Sequence, residues 1–335
     1  MNEDPKPSLI ETASGAKRAL ILGVGGGGDI IQGIPVARLL RQLGLERIYL
    51  GGVACQWWTP DGNPLASEWG QAVMGPTLYD VDELTDSTAL APYIRQVTAA
   101  SAVGGRRPCE AYLADMLPAD VVFVAGQTGG AVGLAEGLSE LVTREQIDLV
   151  VGVDIGSDTF FDGHNAMPAK TSLVDFLSLA AIVSLDVPNF YGMAGYGCDG
   201  EMPLEELDER VARVMAAGGY VDAIGITQRD VAVMEKACEL YGDPVEPMAY
   251  RAARGEHGWK NVWTHGPWGT AVKVTPLAAV MLLFDPATMA AVNSTGITAL
   301  AESKSLSEAE AIFREQLGQY PESLLHPVIE FFPSA

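Results

Sequence analysis

Hydrophobic positions along the chain fall into two textures. Short unbroken apolar runs that stop at glycines mark strands buried on both faces of a parallel sheet, and longer stretches with apolar residues three and four apart mark helices packed on it. The first run, Ala19 to Val24, leads through glycines into a helical pattern over Asp29 to Leu43, where Ile30, Ile34, Ala37, Leu40 and Leu43 recur at helical spacing. Gly44 provides the stop and Arg47 to Val53 the next strand, a βαβ order. Two further buried runs, Asp120 to Ala125 and Asp148 to Val153, bracket a small-residue helix from about Ala131 to Val142. An apolar helix over Thr171 to Leu185 and amphipathic ones over Leu204 to Ala217 and Gln228 to Tyr241 follow. From Lys260 the pattern predicts strands at Val262 to His265, Thr270 to Thr275 and Val280 to Phe284, then a helix over Ser307 to Leu317 opened by a Ser307/Glu310 capping box.

These elements predict a three-layer α/β protein with a Rossmann-like, mostly parallel sheet and an additional C-terminal strand and helix region. Residues 1–17 read as a mobile leader and 18–185 as a glycine-loop lobe. Residues 186–330 read as a second α/β region, packed on the same sheet or forming a coupled lobe. Pro60 to Pro76, rich in proline, glycine and tryptophan, reads as a long loop or lid.

Composition narrows the class. Across 335 residues, 48% hydrophobic against 19% charged is enough apolar surface for a packed core. A formal net charge of −22 repels phosphate backbones and anionic bilayers, so the expected partner is a small-molecule ligand rather than nucleic acid or membrane. No signal-like pattern opens the chain, and Cys55, Cys109, Cys198 and Cys238 form no CxxC pair, so the expectation is a cytoplasmic protein with reduced thiols. The pattern leaves a homo-oligomer open.

Candidate chemistry gathers where strands end. Gly23 to Asp29, GVGGGGD, lies between a strand and a helix, where Gly25, Gly26, Gly27, Gly28 and Asp29 can meet a ligand. Three readings stay open for it: a ligand or phosphate-edge site, a nucleotide cofactor site with GxGxxG spacing at Gly23, Gly25 and Gly28, or a structural turn. The second strand ends Leu50, Gly51, Gly52, Val53 with no carboxylate for a ribose, which ranks NAD and S-adenosylmethionine lower. Asp29 would oppose a phosphate unless a cation such as Mg bridges them. A second glycine turn offers Gln127, Thr128 and Gly129 as ligand contacts, with tight packing as the plain alternative.

In VDIGSD, Asp154 and Asp158 are candidate acid/base groups or ligands of a divalent ion, and His164 behind them is a base or an ordinary loop histidine. Asp199 and Glu201 read as an acid/base pair or as helix-capping groups, and Cys198 as a packing residue. Arg254 and Glu256, in YRAARGEHGW, form a clamp for an anion or a surface salt-bridge loop. No HxH or HExxH spacing supports zinc.

The segments GVGGGGDIIQGIPVARLLRQLG, LGGVA, VDIGSD, GYGCDGEMPLEEL and RGEHG together resemble the DUF1152 family of archaea and bacteria, over roughly Arg18 to Gln319. The resemblance implies the fold and the importance of these segments; it supplies no reaction and no catalytic residue. The residues themselves suggest an enzyme of small-molecule metabolism, a hydrolase, lyase or transferase before an oxidoreductase. It would use carboxylate acid/base or metal-assisted chemistry on an amine-bearing or phosphorylated metabolite. The alternatives are an NAD- or S-adenosylmethionine-dependent enzyme and a non-catalytic ligand sensor or assembly subunit.

Overall fold

A computed structural model describes residues 6–58, 75–161, 172–242, 245–263, 270–292, 296–319 and 321–324. Its centre is a nine-stranded sheet. Five strands are mutually parallel: β1 (Arg18–Gly23), β2 (Arg47–Val53), β7 (Val121–Ala125), β8 (Leu149–Ile155) and β9 (Asn189–Ala194), lying in the order β9-β8-β1-β2-β7. The short β5 (Thr88–Ala91) and β6 (Ile94–Gln96) extend the β7 edge in antiparallel fashion. Beyond β9, β13 (Val280–Phe284) and β10 (Tyr220–Gly225) continue the same sheet, so three strands after residue 186 belong to it. Two two-stranded ribbons stand apart, β3 (Cys55–Trp58) with β4 (Gly75–Leu78) and β11 (Gly258–Trp263) with β12 (Thr270–Val274).

The unbroken apolar runs have the cause expected of them. In β1, Ala19 and Ile21 enter one core cluster while Leu20 and Leu22 enter the other, so each strand residue is buried on whichever face it points to. On the first face lies α2 (Asp29–Gln42), with α3 (Cys109–Met116), α7 (Gln228–Tyr241) and α8 (Pro247–Ala253). The opposite face carries α4 (Gly130–Glu145), α5 (Ser172–Val183) and α6 (Leu204–Ala216), then α9 (Pro286–Val292), α10 (Ile297–Leu300) and α11 (Leu306–Glu315). The three-layer expectation therefore holds. With β1 at the centre, the chain leaves β1 for a helix on one face and β8 for a helix on the other. The gap between their carboxyl ends is the topological switch point, where open α/β sheets form a crevice.

Several details depart from the sequence pattern. Part of the supposed leader is built into the fold: α1 (Leu9–Ala13), capped by Ser8, buries Leu9 and Ala13 in the core. The last helix starts one residue earlier than its capping-box reading, with Ser305 rather than Ser307 accepting the N–H of Glu308. Strands β5, β6, β9 and β10 and helix α3 carry weak periodicity and take their form from the sheet they join. Residues 59–74, most of the expected lid, lie outside the described residues, as does the turn at 266–269.

Candidate functional site

The acidic groups at the switch point come from the ends of β1 and β8 and from the helix that follows β8. Asp29 opens α2 just after β1, Asp154 is the penultimate residue of β8, and Asp175 lies in the first turn of α5. One carboxylate oxygen from each lies within 4.8 Å of the others. Oxygens on opposite sides of one hard cation, with bonds of about 2.0–2.6 Å, would lie about 4–5 Å apart, so this spacing suits a single shared ion. Asp158, Asp199, Glu201 and Glu246 line the same pocket, together with Gly25, Gly26 and Trp57. The pocket leaves about 60 Å³ for the centres of water-sized molecules. That is room for an ion and a few waters or a small polar head, on a scale of about 10–15 Å³ per water.

The second-layer contacts show how the acids are held. Tyr191 and Thr159 donate their hydroxyls to Asp154 Oδ2, at 2.5 and 2.7 Å. Ser157 donates its N–H and its hydroxyl to Asp199 Oδ2, at 2.9 and 2.8 Å. Asp175 is different. It is buried, and neither of its oxygens meets a donor among the described residues. Asp158 approaches it as another carboxyl, and that contact is eased only while one of the two holds a proton. Burial, then the nearby Asp154 and Asp29, drives the Asp175 carboxyl well above the usual range. Burial does the same to Asp158, with Asp175 the next contributor. Burial also pushes Asp199 up to about 6 against the opposing Ser157 donors, and raises Asp154 despite its two hydroxyl partners.

The glycine loop turns out to serve these carboxylates. Gly25 N–H is donated to Asp29 Oδ2 at 2.6 Å, Gly27 N–H to the Cys55 carbonyl at 2.7 Å and Gly28 N–H to Glu246 Oε1 at 2.8 Å. A Cβ at Gly25 would stand 2.5 Å from Asp175 Oδ1 and 2.9 Å from Asp29 Oδ2; one at Gly28 would overlap the Glu246 carboxyl. Side-chain-free positions here let acids reach the backbone. Three amides that a pyrophosphate would use are already engaged within the protein.

Of the sequence-predicted residues, Gly25, Gly26, Asp29, Asp154, Asp158, Asp199 and Glu201 converge on one pocket. Gly27 adjoins it, packing against Trp57, and Gly28 is held by Glu246. Gln127, Thr128 and Gly129 are not among its described lining residues. Gln127 is tied to the Val174 carbonyl and the Ser178 hydroxyl, while Gly129 packs on Tyr93. Arg254 and Glu256 lie on the surface, paired with Glu235 and Lys260, the salt-bridge arrangement rather than a clamp over this pocket. His164 lies outside the described residues. Cys198 is buried, and burial pushes its thiol up to about 12, so it stays protonated. Among the tryptophans, Trp57 reaches the pocket, Trp58 stacks on Tyr79, and Trp259 is exposed.

Sequence reasoning missed Asp175, Glu246, Glu110 and Glu322. Asp175 did leave a signal: it is the only ionisable residue in SLVDFLSLAAIV, a helix apolar all round, where no orientation takes a carboxylate to water. Glu322 Oε1 accepts the N–H of Val174 in the first turn of α5 at 2.9 Å. Glu110, from α3, fills the space above Gly52 at the end of β2, bonded by Gln56 at 3.1 Å, and burial pushes its carboxyl up to about 8.

A pH dependence follows. Carboxyls with folded-state values above their unfolded values make the native state bind more protons, so its stability is greatest below the unfolded values and falls as pH rises through the raised ones. With Asp199 at about 6 and Glu110 at about 8, the cation-free protein is expected to melt at a higher temperature at pH 5.5 than at pH 8. Thermal denaturation in chelator-treated buffers checks this; a melting temperature that climbs with pH across that window would contradict it.

The fold and site define an α/β protein with an acidic, switch-point pocket. The chain belongs to the DUF1152 family: the model described as "Protein of unknown function (DUF1152)" matches residues 20–322. No curated protein and no solved structure matches it. Among the described residues, no helix is long and apolar enough to cross a membrane.

Proposed function

We propose that the chain is an enzyme of small-molecule metabolism whose pocket binds a hard divalent cation and uses it to activate a polar substrate or water. The observation that carries this reading is the trio Asp29, Asp154 and Asp175, with one oxygen of each mutually within 4.8 Å and Asp175 buried, accepting from no backbone N–H and no Ser, Thr or Tyr hydroxyl among the described residues. Such an all-carboxylate set suits Mg²⁺, Mn²⁺ or Ca²⁺, the oxygen-loving ions. Asp154 here keeps the ligand role considered for it, and Asp158 becomes a proton-carrying neighbour instead. Asp199, pushed up to about 6 and anchored by Ser157, is suited to accept a proton near neutral pH and return it, while Asp158 holds one close to the ligand trio. This combination favours hydrolase, lyase or transferase chemistry over hydride transfer.

The cofactor alternative rests on the GxGxxG spacing of Gly23, Gly25 and Gly28 and on the Rossmann-like strand order. Against it stand the three engaged loop amides and the absence of a ribose-binding acid on β2.

Calorimetric titration of the chelator-treated chain with Mn²⁺ in two buffers of different ionisation enthalpy tests the reading. Saturable binding with proton release is expected, because a cation must displace the protons held by the raised carboxyls, and affinity should therefore fall as pH drops toward about 6. Heat indistinguishable from dilution at millimolar Mn²⁺ would defeat it and favour a metal-free sensor or assembly role.

A further inference from the structure

Beyond the three cation-binding acids, the pocket wall carries Asp158, Asp199, Glu201 and Glu246, and its described lining contains no lysine, arginine or histidine. One divalent ion does not balance that wall. An anionic substrate would meet repulsion from the acids and find Gly25, Gly27 and Gly28 already donating within the protein. Trp57 adds an aromatic surface beside the glycine loop, the partner a desolvated organic cation prefers. The acids alone would not make a site. The buried Asp175, lining the pocket with two oxygens that accept from no backbone N–H and no Ser, Thr or Tyr hydroxyl among the described residues, is the independent sign that a positive ligand belongs here.

We propose that the substrate is a small organic cation bearing N–H donors, an alkylammonium or guanidinium, whose charged head lies between Glu246, Asp199 and the Trp57 ring. The proposal rests on the reading above only in taking this pocket as the active site. It gives the acids outside the metal trio a recognition role, since each N–H needs an acceptor and every side-chain acceptor of the described lining is a carboxylate. Exclusion of phosphorylated metabolites comes from the same wall.

The test is calorimetry on the full chain, with and without saturating Mn²⁺, using putrescine and agmatine as probes. Tetramethylammonium, which has charge but no N–H, and inorganic phosphate serve as contrasts. Putrescine or agmatine should bind saturably and at least about tenfold more tightly than either contrast. Glu246→Gln, which retains an oxygen to accept from Gly28, should weaken the amine by about tenfold or more while Mn²⁺ affinity changes little. Phosphate binding in place of the amines, tetramethylammonium binding as well as they do, or undiminished amine binding in both Glu246→Gln and Trp57→Ala, would overturn the proposal. Mn²⁺ binding with no amine binding sinks it and leaves the cation reading standing; amine binding without Mn²⁺ binding does the reverse.

Discussion

Asp175→Asn should yield a protein that melts higher than the parent in chelator yet has lost its cation. The two effects share one cause. Without a cation, Asp175 is buried beside Asp158, Asp154 and Asp29, and among the described residues it accepts from no backbone N–H and no Ser, Thr or Tyr hydroxyl. An amide of the same shape removes that repulsion and supplies an NH₂ that can donate to a neighbouring carboxylate, a gain of about 1–3 kcal/mol by analogy with other buried uncompensated groups. At roughly 1–2 °C per kcal/mol for a chain of 335 residues, the shift is measurable in a melting scan. A neutral amide oxygen is also a much poorer ligand for a hard ion, so Mn²⁺ affinity should fall by roughly a hundredfold or more, a loss of about 2.7 kcal/mol of binding free energy. Mn²⁺ should stabilise the parent strongly and the variant hardly at all. An Asn variant that binds Mn²⁺ as tightly as the parent would remove Asp175 from the ligand set.

Gly25→Ala should destroy the same site without touching a ligand. Gly25 does not use the left-handed region that favours glycine, so its backbone can host an alanine. The conflict is with what stands above it: Asp175 Oδ1 at 2.5 Å and Asp29 Oδ2 at 2.9 Å from the new methyl. Neither acid can swing far, since Asp29 is held by the Gly25 N–H and Asp175 sits on a helix buried on all sides. The expected cost is about 1–3 kcal/mol of stability, typical of overpacking, with Mn²⁺ binding lost because the trio is spread apart. Gly15→Ala is the control: nothing lies within 4 Å of its added Cβ, so it should leave cation binding unchanged. If the Gly25 variant bound Mn²⁺ normally, the close approach of loop and acids would have no functional weight.

How much of this could be read from the residues depended on how local the cause was. Strands β1, β2, β7 and β8 and helices α2 and α7 follow from hydrophobic period and glycine stops, which are properties of each segment alone. Their ends therefore placed Asp29, Asp154 and Asp158 at one sheet edge. The meaning of GVGGGGD was not local. Its glycines look like a phosphate cradle in sequence, and only the tertiary fold shows Asp175 and Glu246, distant in the chain, lying over them. Asp175 itself was visible as a charge stranded in an apolar helix. Glu246 and Glu322 sit in turn-rich or terminal stretches where nothing in the local pattern separates a buried carboxylate from a solvated one.

The bond from Val174 N–H to Glu322 ties the helix that carries Asp175 to a residue synthesised long after it. Asp29, Asp154 and Asp175 have all left the ribosome while that amide still lacks its acceptor, so the nascent chain holds all three acids before the first turn of the helix gains this bond. The first turn of that helix is thus completed by one of the last described residues. A chain cut between α11 and Glu322 would retain every proposed ligand and lose this tie to the helix that carries one of them.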